Sequence, residues 1–160
     1  MTAAVADWLQ AWPGARWLQG SGTAWLFVNA AHLLGIALLL GSMLPLDLRL
    51  AMARAPAQLA VLAPAAIRVA ALGLALAIAT GLWLFSVQPQ AYLGNAAFRW
   101  KLLLLGLALA NVAAQHRLLR NARGWNALPV PVPAGVRALA AVSALLWLAT
   151  LVAGRWIGFL

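Results

Sequence analysis

The fold is decided by residues 17–46, WLQGSGTAWLFVNAAHLLGIALLLGSMLPL, which carry no charged side chain. A helix needs about 20 predominantly apolar residues to cross the hydrocarbon core of a bilayer. Three further intervals are also free of charge, residues 69–98, 102–116 and 138–154. Together they predict four spanning helices near 22–45, 66–87, 98–119 and 136–158. Arg99, Lys101 and Arg155 fall within the predicted third and fourth spans, close to their ends. There a long side chain can reach the interface.

The composition agrees. Of 160 residues, 66% are hydrophobic and only 8% charged, with a mean hydropathy of +0.93. A soluble domain carries about 25% charged residues to hydrate its surface, so lipid is the expected solvent. Eleven Lys and Arg stand against two acids, Asp7 and Asp47, for a net charge of +9. The basic residues lie between apolar runs rather than along one stripe. This argues against nucleic acid as a partner and for topology signals and lipid headgroup contacts. The absence of cysteine excludes disulfides, iron–sulfur clusters, thiolate haem ligation and cysteine zinc sites.

The expected fold is therefore all-α, a single integral-membrane domain over residues 1–160. Pro56 and Pro64 bound the first predicted linker, Gln88-Pro89-Gln90 with Gly94-Asn95 make the second, and Pro129, Pro131 and Pro133 stiffen the third. Such short connections favour an up-down-up-down four-helix bundle. The stretch from Asp7 to Pro13 is apolar and aromatic but too short to span, and is expected to lie in the interface as a short helix ending near Pro13. It lacks the basic n-region of a cleavable signal peptide. Trp17, Trp25, Trp83, Trp100 and Trp156 fall near one end of the spans, as an interfacial belt does. Arg49, Arg54, Arg68, Arg117, Arg120, Arg123 and Arg137 gather at one end of the bundle. Arg16, Arg99, Lys101 and Arg155 gather at the other. The seven-to-four bias predicts a bacterial inner-membrane protein with residues 45–65 and 120–135 cytoplasmic and both termini periplasmic.

Polar residues inside the spans are the candidate site residues, because a bilayer makes them costly to keep. There are two histidines, His32 and His116. At 1.5 Å per residue His32 lies roughly 13–15 Å below the outer start of its helix and His116 about 27 Å below the start of its own. A mismatch of about 12 Å disfavours one haem clamped between them, so two layers are expected. The outer layer holds His32, Lys101, Arg99 and Arg155. Gly35, one turn from His32, would let a flat macrocycle approach the backbone. Two readings of this layer stand: a haem with its propionates outward on Arg99 and Arg155, or cations that simply snorkel to lipid phosphates. The inner layer holds Asp47, Arg49, Arg68 and His116. An ion pair of Asp47 with Arg49 or another arginine, or a hydrogen bond to His116, is the plainer expectation, and a second metal or haem site on His116, or a proton-relay pair, the sharper one. Thr80 and Asn111 are expected to join helices by hydrogen bonds. Gly41, Gly73, Gly81 and Gly106 read as close-packing positions.

Several segments, in order, resemble a bacterial four-helix membrane family of unknown function. They are Ala31-His32-Leu33-Leu34-Gly35, Gly41-Ser42, Asp47-Leu48-Arg49-Leu50, Gly81-Leu82-Trp83-Leu84-Phe85 and Asn95 to Leu103, followed by Asn111 and His116. More distantly the plan is similar to HemJ-type protoporphyrinogen oxidases and to the membrane part of CopD-like copper proteins. His32, Lys101-Leu102 and His116 match the HemJ-type layout, and that likeness implies a b-type haem on His32 with Lys101 beside it. The paired aromatic and basic residues of the HemJ-type first loop are missing here.

The leading expectation is a small membrane haem b protein passing electrons to a partner protein or a quinone. The alternatives are a porphyrinogen oxidase, a copper-handling protein, and a cofactor-free accessory subunit of a membrane complex or a homo-oligomer. Copper is weakened by the scarcity of methionine, present only at positions 1, 43 and 52.

Overall fold

The computed structural model describes residues 3–54, 56–121 and 132–159. Among them are helices and no strand: α1 (Ala3–Ala11), α2 (Pro13–Gly20), α3 (Gly22–Ala51), α4 (Pro56–Val87), α5 (Pro89–Gly94), α6 (Ala96–Asn121) and α7 (Ala134–Trp156), closed by a 3₁₀ turn, Ile157–Phe159. Four segments are long and apolar enough to cross a membrane: Gly22–Ala51, Val61–Val87, Ala96–Leu119 and Ala134–Phe159. This is an all-helical, multi-pass membrane architecture. Pro129 and Pro131 of the predicted third linker, and Arg123, lie outside the described residues.

The first linker is much shorter than its prolines suggest. α3 continues through Pro45 to Ala51, and α4 begins at Pro56 and runs through Pro64. Pro56 occupies a helix start, where the missing N–H would be unpaired anyway. Pro45 is exposed, and one turn earlier Gly41 faces open space, which leaves the helix room to absorb the ring. Between α3 and α4 only a tight turn remains. The Ala53 N–H bonds the Leu50 carbonyl at 3.0 Å and the Arg54 N–H bonds the Arg49 carbonyl at 2.9 Å. Ala53 takes the left-handed backbone, with φ of 52°. This is the hydrogen-bond pattern of a Schellman C-cap, with alanine where glycine is usual.

The packing is set by α3 on α4, α7 on α6, and α3 on α7, while α4 and α6 are held farther apart. The register shows that each pair is antiparallel. On α3 and α4, His32 meets Thr80 while Gly35 meets Gly73 and Ala77. On α6 and α7, Lys101 meets Gly154, Asn111 meets Leu139 and Leu118 meets Gly135. The α3–α4 seam is a backbone-on-backbone contact. A Cβ on Gly35 would come within 2.7 Å of Ala77 N and Gly73 O, and one on Gly73 within 2.7 Å of Gly35 O and Leu39 N. Between helices in lipid, where no hydrophobic effect drives association, such small-residue contacts supply dispersion and fix register. Gly73 and Gly81 are close-packing positions as expected. Gly41 and Gly106 are not, since each faces open space.

Apolar packing runs in three tiers. At the tryptophan-bearing end, the one expected to be outer, Leu18, Ala24, Val28, Leu84 and Val87 cluster. In the middle are Leu39, Met43, Ala70, Ala108 and Trp147. The inner tier includes Leu46, Leu50, Leu59, Leu119 and Val136. The N-terminal stretch forms two helices rather than one, because Pro13 starts α2 as well as ending α1. This collar is strapped to the outer end of α4. Trp12 Nε1 donates to Ser86 Oγ at 3.1 Å, Trp83 Nε1 to the Gly14 carbonyl at 3.0 Å and Gln19 Nε2 to the Val87 carbonyl at 3.2 Å. Trp17, Trp100 and Trp156 are exposed at that end, as an interfacial belt requires. Phe85, Tyr92 and Phe98 close the same end above the wide α4–α6 side, Phe85 and Phe98 stacking at 5.4 Å. Burial there pushes the Tyr92 phenol above its ordinary pKa.

Candidate functional site

Two polar layers sit inside the bundle, and they differ in how well they are paired. The outer layer is built on His32. Gly81 on α4 leaves no side chain under the imidazole, and a Cβ there would lie 3.0 Å from His32 Cε1. The ring therefore lies against the α4 backbone, with Nδ1 3.1 Å from Thr80 Oγ1. The Thr80 hydroxyl has one proton and donates it to the Leu76 carbonyl at 2.6 Å. Its oxygen must then accept from His32, which places a proton on Nδ1 and leaves the Nε2 lone pair free. A ligating histidine is commonly fixed in this way, by a hydrogen bond to its other ring nitrogen.

Lys101 on α6 is the charged group whose field reaches His32. Its stem lies on the bare face of Gly154, whose Cβ would sit 3.5 Å from Cδ and Cε and 3.6 Å from Nζ. The structure thus brings together His32, Thr80 and Gly81, while Lys101 packs on Gly154 of α7 and reaches them through its charge alone. It does not bring in the rest of the expected haem pocket. The face of Gly35 is filled by the α4 backbone, so Gly35 is a packing position and cannot admit a macrocycle. Arg99 is exposed near the start of α6. Arg155 turns along its own helix end, with its guanidinium 4.7 Å from the Phe159 ring centre.

The inner layer overturns the expected ion pair. Asp47 is completely buried, and neither carboxyl oxygen has a partner. Arg49 is exposed two residues away. His116 is exposed too, with Nδ1 3.1 Å from the Val112 carbonyl of its own helix. The geometric reason is register. Antiparallel packing of α3 on α7 turns Asp47 toward Ser143, and Gln115 rather than His116 is the α6 side chain that faces it. Arg137 serves the adjoining helix end instead, its Nε donating to the Ala51 carbonyl at 3.0 Å.

Ser143 and Gln115 face the Asp47 carboxyl yet stop short of hydrogen-bond geometry. Ser143 Oγ, Gln115 Nε2 and Trp147 Nε1 are all buried and unpartnered. Trp147 lies one turn from Ser143 on the same face of α7. Sequence reasoning missed Gln115, Ser143 and Trp147. A signal existed, since Ser143 and Trp147 are spaced i, i+4, as are Asn111 and Gln115, but only the antiparallel register brings Ser143 and Gln115 to Asp47. Asn111 does what was expected of it, its Nδ2 donating to the Leu139 carbonyl at 3.0 Å across α6 and α7.

A family of unknown function, DUF6644, matches residues 18–160. The chain belongs to the DUF6644 family. No curated protein and no solved structure matches it. Both polar layers of this DUF6644 chain fall within the matched segment, whereas most of the N-terminal collar precedes it. No group of three or more His, Cys, Asp or Glu side chains is placed to hold a metal ion among the described residues. Any metal in the outer layer would therefore rest on His32 and on donors of another kind.

Proposed function

We propose that the protein is a small integral-membrane b-type haem protein that passes electrons to a partner protein or a membrane quinone, with His32 as an axial ligand. One observation carries the reading. The imidazole sits inside a membrane span with its Nδ1 proton committed to Thr80 and its Nε2 lone pair free. An unused lone pair at that depth lacks water and gains from a metal. Lys101 is the second polar group of the layer and supplies a pocket charge or a second ligand. Arg99 is exposed and Arg155 packs on Phe159, so the reading rests on His32 and Lys101 and not on an arginine pair for the propionates. When bound, a haem would supply one-electron chemistry. The chain's own part is to hold the imidazole by Thr80, to seat it against Gly81, and to keep water from it with lipid and apolar side chains.

The reading places the arginine-rich end in the cytoplasm and both termini in the periplasm of a bacterial inner membrane, from the seven-to-four bias. Because the chain has no cysteine of its own, an impermeant thiol reagent can report this at a single cysteine put at position 54. The decisive test is the visible spectrum of the detergent-purified protein, oxidised and dithionite-reduced. A Soret band with reduced α and β bands is expected in the wild type. His32→Ala should lose it and His116→Ala should retain it. A colourless wild-type protein would sink the reading, and loss of the band in both folded variants would place the haem between the two histidines instead.

A further inference from the structure

The unpaired cluster of the inner layer calls for something that the haem reading does not supply. Asp47, Gln115, Ser143 and Trp147 are each more than nine-tenths buried. Five of their polar atoms have no partner: both Asp47 oxygens, Gln115 Nε2, Ser143 Oγ and Trp147 Nε1. Buried polar groups are almost always hydrogen-bonded, and each exception needs a reason. Four of the five, on Asp47, Gln115 and Ser143 of α3, α6 and α7, lie together and have a common one. The groups are complementary, with carboxyl acceptors on one side and O–H and N–H donors on the other. As they stand, none of them meets hydrogen-bond geometry with another.

The charge must also be accounted for. An ionised carboxylate buried without a counter-ion is so costly that such a group normally takes up a proton instead. Among the described side chains, the charged and titratable groups on the packed elements do not face it, Arg120 of α6 lying outside them. Arg49 on α3 is exposed. Arg68 on α4 is exposed and donates to the Pro64 carbonyl. His116 and Arg117 on α6 are exposed, and Arg137 on α7 is bound to Ala51. A metal ion of the hard class wants a shell of several oxygens. The unpartnered set offers three groups with hydrogens to give, which suits a water molecule between them.

We propose that Asp47, Gln115 and Ser143 form a buried proton-binding site, in which Asp47 is held as the neutral acid through a water shared with the other two side chains. The step is a proton transfer alone. An O–H bond of the incoming hydronium breaks, an O–H bond forms on Asp47, and water is left. The proton exchanges at the arginine-rich end, because Asp47 lies one turn from the end of α3. This site does not depend on a haem at His32.

Infrared difference spectroscopy of the intact protein in nanodiscs, acid against alkaline, tests the proposal with little overlap. The chain has only two acidic side chains, and Asp7 is exposed. The wild type should show the carbonyl band of a protonated, poorly hydrated carboxylic acid that shifts in heavy water and is lost on alkalinisation. Asp47→Asn should abolish that band and leave the Asp7 signal. Ser143→Ala should move its frequency, and serves where Asp47→Asn does not fold. A band absent at every pH at which the protein stays folded overturns the proposal. So does a band that persists at every such pH, since its proton is never exchanged. Loss of the band at constant pH when sodium replaces choline would make the ligand a metal ion and also overturns it.

Discussion

The His32 and Asp47 layers are built from the same kind of material, one ionisable side chain from α3 facing hydroxyls and amides of its neighbours. In the outer layer the His32 and Thr80 hydrogens are spoken for: Leu76 takes the Thr80 proton, Thr80 takes the His32 proton, and one lone pair is left over. In the inner layer four buried polar atoms, both Asp47 oxygens, Gln115 Nε2 and Ser143 Oγ, have no partner. The difference teaches how to read polar residues in a bilayer. A paired histidine is preorganised for a ligand on its free nitrogen. An unpaired cluster has its geometry set by the helices around it and is completed from outside.

The comparison rests on the α3–α4 seam, which holds His32 over Gly81, and breaking the seam should have the largest effect. Gly73→Leu would drive a side chain into the α3 backbone, where even a Cβ meets Gly35 O and Leu39 N at 2.7 Å. Overpacking a filled contact costs about 1–3 kcal/mol and occasionally more. With backbone on both sides and no room to yield, a loss of at least about 3 kcal/mol is expected. Reversible unfolding in mixed micelles measures it. A Gly73→Leu protein as stable as wild type would mean that α3 and α4 do not touch there.

Next come two near-isosteric changes that should differ in their effect. Thr80→Val removes the side-chain acceptor of the His32 Nδ1 proton and leaves the Ala77 carbonyl as its remaining partner, a net loss of about 0.5–1.5 kcal/mol. Asp47→Asn removes no formed hydrogen bond and takes away a buried ionisable group, so it should change stability by less than about 1 kcal/mol, or raise it. The same unfolding experiment compares them. Equal losses would erase the distinction between the layers, and a large loss for Asp47→Asn alone would mean the carboxyl has a direct partner.

The four spans were legible in the sequence because a bilayer demands unbroken apolar runs, and charges at positions such as Arg16, Asp47, Arg68 and Arg137 mark where those runs stop. Helix ends were not. Pro64 reads as a boundary by the rules for soluble helices, and the first predicted span ends at residue 45, but in lipid the alternative is unpaired backbone, so the helices continue through Pro45 and Pro64. In the candidate site, the shared layer of His32 and Lys101 followed from depth along each helix, a one-dimensional quantity. Gly35 and Asp47 were assigned the wrong neighbours because depth says nothing about which way a residue faces. Gly35 turns to α4, and Asp47 turns to α7 and α6. Gln115, Ser143 and Trp147 stayed hidden for the same reason, since each is unremarkable on its own helix.

The smallest effect should come from the turn that sets the α3–α4 register, and so both layers. Ala53 holds φ at 52°, a conformation in which a Cβ crowds the following carbonyl, at a cost of roughly 1–2 kcal/mol for an L-residue. Glycine adopts it without that strain but loses more chain freedom on folding. Ala53→Gly should therefore stabilise the protein by less than about 1 kcal/mol. The hydrogen bonds that define the cap, Ala53 N to Leu50 O and Arg54 N to Arg49 O, are backbone only, so nothing else need change. A raised unfolding midpoint with an unaltered visible spectrum is expected. A destabilised Ala53→Gly variant would mean that the turn does not use the left-handed conformation. The α3–α4 register would then have to be set by the Gly35–Gly73 seam alone.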